Sequence, residues 1–326
     1  MLDSYNREIN YLRVSVTDRC NLRCRYCMPA DGIEDIGHDH MLSLEQIAQI
    51  VKIAASGGIR KVRLTGGEPL VRKGIINLVR QIKSNSKIEE ISLTTNGILF
   101  TEMADELQAA GLSRVNFSLD TLQDDKFSYI TRLGKVAPVK AAIEKALSLS
   151  LNPVKVNVVV MKGVNDNEIL DFVQLAKELP LHIRFIEFMP IGDLPFYTQD
   201  KTMSVANMRD LIEDKYEITK RSLVDGNGPA KSFNIINGKG SIGFISAMSD
   251  HFCSKCNRLR LTADGKLRAC LYSNNEINLK MALDNNASDD MVLKLIQRAV
   301  KEKPNRHHME DGWGNDNKRK MYQIGG

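Results

Sequence analysis

YLRVSVTDRCNLRCRYC, residues 11–27, joins a run of alternating polar and apolar residues to three closely spaced cysteines. Arg13, Ser15 and Thr17 fall on one parity of the run, Val14 and Val16 on the other. Successive side chains of a strand point to opposite faces. A strand here therefore has one polar and one apolar face, and it delivers Cys20, Cys24 and Cys27 to the loop beyond its C-terminal end. The alternation recurs in KVRLTGG (61–67), EISLTTNG (90–97), RVNFSLD (114–120) and VKVNVVVMKG (154–163). LHIRFIEFM (181–189) is a sixth, less regular strand, in which Arg184 does not share parity with Glu187 and Met189.

Between these runs lie SLEQIAQIVKIAASGG, GIINLVRQIKSN, TEMADELQAAG, PVKAAIEKALSLS and ILDFVQLAKEL, each with apolar residues at helical spacing. Ser43 reads as an N-cap with Gln46 three residues on, and Gly111 as a C-terminal stop. Repeated strand–helix units imply parallel strands joined by crossovers. In a doubly wound sheet the strands are buried on both faces and read as nearly continuous Val, Ile and Leu. These strands do not. The expected fold is α/β, an incomplete (β/α)6 TIM-type barrel whose polar parities (Arg13, Arg63, Thr94, Ser118, Lys155 among them) share a wide, wet, partly cationic interior.

The barrel is expected over residues 1–190 and a C-terminal α+β region, closing the open side, over 191–326. In the latter, SVANMRDLIEDKY reads as a helix, GSIGFIS as a strand, and RLRLTADGKLRAC as a hairpin turning at Asp264-Gly265. Two further helices fall near 277–284 and 288–300.

Lys+Arg 45 against Asp+Glu 40 leave a net charge of +5. That is too little by itself to indicate nucleic acid. No apolar run approaches the ~20 residues of a membrane span, and the first residues lack a signal-peptide layout. A cytoplasmic enzyme with neither nucleic acid nor membrane as partner is the expectation. All 6 cysteines fall in two triplets, the second being Cys253, Cys256 and Cys270 at C-x2-C-x13-C. In a reducing compartment such spacing favours metal ligation over disulfides. Three thiolates leave one coordination position open, which at the C-terminal rim of a barrel marks a reaction centre. An iron–sulfur cluster and a three-cysteine zinc with water both fit the spacing. Arg258 and Arg260, two apart, point one way and suit phosphate or carboxylate.

CNLRCRYC matches the cluster motif of radical S-adenosylmethionine (SAM) enzymes, with Tyr26 before the last cysteine. GGEP (66–69) is that family's second mark. With the second triplet, the RFIEFM strand and a terminal Gly-Gly, nearly the whole chain resembles the GTP 3′,8-cyclases of molybdenum cofactor biosynthesis, the MoaA family. The resemblance implies two [4Fe–4S] clusters, one on Cys20, Cys24 and Cys27, the other on Cys253, Cys256 and Cys270. It implies SAM contacts at Tyr26, Gly67, Ser118 and Met189. GTP contacts are implied at Arg13, Arg63, Thr94, Lys155 and the run Arg258, Leu259, Arg260. SAM cleavage would yield a 5′-deoxyadenosyl radical that abstracts hydrogen from C3′ of GTP, with closure onto C8 giving 3′,8-cyclo-7,8-dihydro-GTP. Further implied are insertion of Gly325 and Gly326 into the active site, homodimerisation, and transfer of the product to cyclic pyranopterin monophosphate synthase; the electron donor is unspecified.

A Gly-Gly terminus is otherwise frayed chain. His307-His308 and the basic stretch Lys318–Lys320 read as solvated tail, and His182 and His251 as packed rather than ligating. The nearest rival is a peptide-modifying radical SAM enzyme with an auxiliary cluster, and a zinc or redox module binding RNA is the rival from another class.

Overall fold

The computed structural model of the chain describes residues 1–33, 37, 40–191, 195–221, 229–246, 248–249, 253–307 and 319–325. His251, His308, Lys318 and Gly326 lie outside the described residues.

The six expected strands are β1 (Tyr11–Ser15), β2 (Lys61–Thr65), β3 (Glu90–Thr95), β4 (Arg114–Ser118), β5 (Lys155–Val160) and β6 (His182–Glu187). They pair in chain order and all in parallel. The helices between them are α1 (Leu44–Ser56), α2 (Ile75–Lys83), α3 (Phe100–Ala109), α4 (Asp124–Thr131), α5 (Ala137–Ser148) and α6 (Ile169–Glu178). The Ser43–Gln46 capping box forms at α1, and Gly111 follows α3 at φ +106°. The short α4 has no counterpart in the periodicity reading.

Leu12, Val14, Val62, Leu64, Ile91, Leu93, Val115, Phe117, Val156 and Val158 are all buried in one core together with the inner faces of the helices. Each such burial is worth about 1.5–3 kcal/mol. A one-residue slip of any strand would exchange its apolar set for its polar one. The apolar parity thus pins the register, and the polar parity has only the interior left to face.

The C-terminal half supplies α7 (Val205–Glu213), β7 (Ile218–Lys220), β8 (Lys231–Ile235), β9 (Ser241–Ile245), β10 (Arg258–Leu261), β11 (Lys266–Arg268), β12 (Glu276–Asn278), α8 (Leu279–Asp284), α9 (Asp289–Lys301) and α10 (Met321–Ile324). Its strands lengthen the barrel sheet at both margins, in the order β12-β11-β10-β1-β2-β3-β4-β5-β6-β9-β8-β7. β9 is parallel to β6 and β10 is parallel to β1, so eight parallel strands stand side by side. Their antiparallel flanks, β8–β7 and β11–β12, end the sheet without closing it among the described residues. The expected turn at Asp264-Gly265 joins β10 to β11, with Gly265 at φ +78°.

Candidate active site

The register of β10, β1 and β2 sets Arg260, Arg13 and Arg63 abreast on adjacent strands. Ser92 and Arg114 continue that row on β3 and β4. One step further along, Thr94, Asn116 and Lys155 align across β3, β4 and β5, and Asn157 stands beside Arg184 of β6. Arg13, Arg63, Thr94, Lys155, Arg258 and Arg260 all line one cavity. Leu259 does not: it has the opposite parity and packs, 0% exposed, in the core.

Asn157, on the polar parity of its strand with Lys155, lines this cavity as well, and so do Tyr11, Lys61, Arg114 and Arg184, which sequence reasoning left out. Tyr11, Lys61 and Arg114 were findable by extending the polar parity of their own strands by two residues. Arg184 looked irregular only because β6 ends at Glu187. Arg184 and Ile186 face inward. Glu187 turns outward, where its carboxylate accepts from the backbone N–H groups of Val205, Met248 and Ser249.

So many buried cations oppose one another. Burial, with Arg184, Arg114 and Arg63 alongside, pushes the Lys155 ammonium down to about 5. Burial and neighbouring guanidiniums lower Arg184 and Arg260 to about 9 and Arg13 well below its usual value. Thr94 Oγ1, Asn157 Oδ1 and both ends of the Asn116 amide are buried without a hydrogen-bond partner among the described residues. Buried polar groups are rarely left so. Cations in excess beside unmatched donors and acceptors describe a receptor for a polyanion bearing hydroxyl or base groups.

Cys20, Cys24 and Cys27 occupy the loop after β1 and line the same cavity. Gly66 and Gly67 press against the backbone leading into that loop. Gly66 adopts φ +157°, and a Cβ on Gly67 would lie 2.4 Å from Arg19 O and 2.6 Å from Asp18 O. Glu68 is 1% exposed and accepts from Thr95 Oγ1 (2.8 Å), Asn96 N (2.7 Å) and Leu70 N (3.0 Å), which locks the end of β3 to this turn. Asn96 Nδ2 in turn reaches Asn21 Oδ1 at 2.7 Å and Cys20 Sγ at 3.8 Å. Tyr26 donates to Asp120 Oδ2 at 2.6 Å. Gly67, Tyr26, Ser118 and Met189 all face the cavity on this side.

Burial raises the Cys20 thiol to about 11 and the Cys27 thiol to about 12, and Cys24 goes well above its usual value, driven by burial and then by Cys27 and Asp120. Three thiolates here require a cationic partner. Cys253, Cys256 and Cys270 line the cavity from the other side in a different field. Burial raises Cys256, but Arg258 and Lys303 outweigh it and bring that thiol down to about 6. Lys303 Nζ is itself fixed by Arg258 O at 2.9 Å and by Ala269 O. Arg7 Nη1 holds the carbonyl of Cys253 at 2.8 Å. Among the described residues no three His, Cys, Asp or Glu side chains converge as on a single metal ion. Ligands of a cluster need not converge, because each binds a different iron.

The described part of the tail is not the frayed end that is the default for a Gly-Gly terminus. Tyr322, Ile324 and Gly325 are buried, and Arg260 Nη1 donates to Gly325 O at 2.6 Å. A Cβ on Gly325, which has φ +69°, would lie 2.6 Å from Thr65 Cγ2. The Tyr322 backbone bonds the Cys27 thiol. His307, read as solvated, is 6% exposed and lines the cavity. Arg319, in the stretch read as solvated, is paired with Asp264 and Glu276. His182 is half-buried and hydrogen-bonded, with Nδ1 2.6 Å from Ser241 Oγ. No helix among the described residues is long and apolar enough to cross a membrane.

Residues 14–176 match the Radical SAM superfamily, and residues 181–309 match the family described as Molybdenum Cofactor Synthesis C. Relatives named GTP 3′,8-cyclase include one from Syntrophomonas wolfei subsp. wolfei, 56% identical over 100% of both chains. Another, from Desulforamulus reducens, is 53% identical over 100% of both. Among solved structures, that of Streptococcus suis SuiB bound to S-adenosylmethionine superposes with a TM-score of 0.57 at 15% identity, over 83% of this chain and 61% of that one. At that identity the likeness is one of fold alone.

Proposed function

Since the chain belongs to the GTP 3′,8-cyclase family of radical SAM enzymes that serves molybdenum cofactor synthesis, we propose that its lumen holds GTP between two iron–sulfur clusters. The observation carrying this reading is that two cysteine triplets, far apart in the chain, line one cavity whose wall between them is cationic. Each triplet is a thiol set of the kind that holds a cluster with one iron left open. The first lies beside Tyr26, Gly67, Ser118 and Met189, the positions assigned to SAM. The second lies beside Arg258 and is assigned to the guanine end of GTP.

Cys20, Cys24 and Cys27 would hold the first cluster, which when bound and reduced would supply the electron for cleavage of SAM, the chemistry from which hydrogen abstraction at C3′ of GTP and closure onto C8 would follow. The chain's own residues do the positioning. Arg13, Arg63 and Lys155, with Arg184 behind them, hold the triphosphate by charge-assisted bonds in a water-poor site. The unmatched Thr94 hydroxyl and Asn157 carbonyl orient the ribose. Gly325, held by Arg260, closes the space where a reactive intermediate would otherwise meet water. The same reading assigns the enzyme to the cytoplasm as a homodimer passing its product to cyclic pyranopterin monophosphate synthase. These last assignments rest on the family resemblance.

The test is anaerobic. Protein reconstituted with iron and sulfide and reduced with dithionite is given SAM with GTP, with ATP or with no nucleotide, and 5′-deoxyadenosine is quantified. Formation strongly enhanced by GTP, with matching GTP loss, is the expected result. Cleavage indifferent to nucleotide would replace GTP by another substrate class, a peptide first.

A further inference from the structure

Arg319 stands at the root of the buried tail, five residues before Ile324. Its guanidinium meets two carboxylates at once. Nη1 and Nη2 reach the two oxygens of Asp264 at 3.1 and 2.8 Å, and Nε and Nη2 reach those of Glu276 at 3.0 and 2.8 Å. Planar bidentate pairing of this kind fixes direction as well as distance. The carboxylates are fixed in turn. Asp264 belongs to the turn between β10 and β11, and Glu276 also bonds the buried Arg268 of β11. Both anchors therefore ride on the meander that carries Arg260, the residue holding Gly325 O at the tail's other end.

The span between the two anchors is short and ordered. α10 is a single turn, closed by a bond from Lys320 N to Gln323 Oε1 at 2.9 Å. With Arg319 placed, little freedom is left for where Gly325 falls. Ordering a terminal segment costs backbone entropy, and the small apolar cluster around Ile324, with Ile191, Met189 and Met321, offsets only part of it. Burial raises both carboxylates, but the bonds to Arg319 outweigh it and leave each below its usual value, so the pair stays charged throughout the neutral range.

We propose that Arg319 is a positioning residue whose two-carboxylate clamp sets the depth of the C-terminal residues in the lumen. This deepens the reading of the tail as part of the active site and rests on it.

Four full-length, cluster-reconstituted proteins test the clamp: Arg319→Ala, Arg319→Lys, Asp264→Asn, and the chain extended by one alanine after Gly326. Two readouts are taken. The first is deuterium exchange of the amides in residues 319–325. The second is GTP consumption, resolved into kcat and KM. Arg319→Ala is expected to speed exchange at least tenfold and lower kcat at least tenfold, with KM for GTP within about threefold. Arg319→Lys, a point charge that cannot form the fork, and Asp264→Asn are expected to fall between, and Asp264→Asn leaves Arg319 itself in place should Arg319→Ala fold poorly. Unchanged exchange in both Arg319→Ala and Asp264→Asn overturns the clamp. Freed exchange with normal kcat overturns the positioning role. In that case the alanine extension separates the causes: lost turnover there keeps the tail in the active site, and intact turnover removes it.

Discussion

Replacing Lys155 by methionine should abolish a proton uptake that accompanies GTP binding. The Lys155 side chain is 1% exposed, and burial with Arg184, Arg114 and Arg63 brings its pKa from 10.5 to about 5. At pH 8 the empty lumen therefore holds a neutral amine. Charging it there costs about 3 pH units, or about 4 kcal/mol at 1.36 kcal/mol per unit. A triphosphate repays this, since two unit charges 4 Å apart attract by about 4 kcal/mol at an effective dielectric of 20, and it carries several charges. The bound lysine is then protonated, and binding takes up about one proton per site. The assay is titration calorimetry of GTP without SAM at pH 8, in Hepes and in Tris. The slope of apparent enthalpy against buffer ionisation enthalpy counts the protons. The wild type should give a value near one, and its affinity should rise by up to about tenfold per unit as pH falls from 8 to 6. Lys155→Met should give a value near zero, a flatter pH profile, and binding weakened by about 1.5–3 kcal/mol. For folding the sign is opposite: the unfolded lysine binds the extra proton between pH 5 and 10.5, so this group's stability is full above that window and lost as pH falls through it. A wild-type slope of zero, or equal slopes in both proteins, would refute the argument.

Cluster content gives a second check. Reconstituted protein should hold about eight irons with matching sulfide, and Cys24→Ala and Cys256→Ala about four each; zinc without acid-labile sulfide would sink the assignment of both triplets. Gly67→Ala places a Cβ 2.4 Å from one backbone carbonyl and 2.6 Å from another, neither of which can swing aside. It should cost about 1–3 kcal/mol and weaken SAM binding, and an unshifted Tm would show that the two loops part freely. Glu187→Gln turns an amide N–H₂ on backbone N–H donors that the carboxylate now satisfies. A loss of about 1–3 kcal/mol in urea unfolding is expected, and an unchanged midpoint would contradict it.

Much of the lumen was legible because period two is a local property. Arg13, Arg63, Thr94, Ser118 and Lys155 share their inward parity with no reference to any other strand. Of the additions, Arg114 opens its strand, where local periodicity is weakest, and Arg184 has the apolar Ile186 as its inward neighbour, so no polar alternation marks it. Leu259 came along with its arginine neighbours only because a contiguous run was carried over whole; its own parity points it into the core. The tail was hardest to read. Nothing in the composition of MYQIGG distinguishes a frayed end from a plug, and the reading of Lys318–Lys320 as solvated missed that Arg319 has two carboxylates waiting on a distant meander.

The sequence by itself determined the six strand–helix repeats, the face each strand turns inward, and the cysteine spacing that leaves one coordination position open, because all three are encoded within a few residues of one another. Only the tertiary structure decided that β10 lies parallel to β1, setting Arg260 abreast of Arg13. It also brought the second triplet round to the cavity of the first and seated Gly325 under Arg260. Those are pairings between segments from 65 to more than two hundred residues apart, settled by which buried edges and charges the assembled barrel leaves to be satisfied, and no local pattern carries that information.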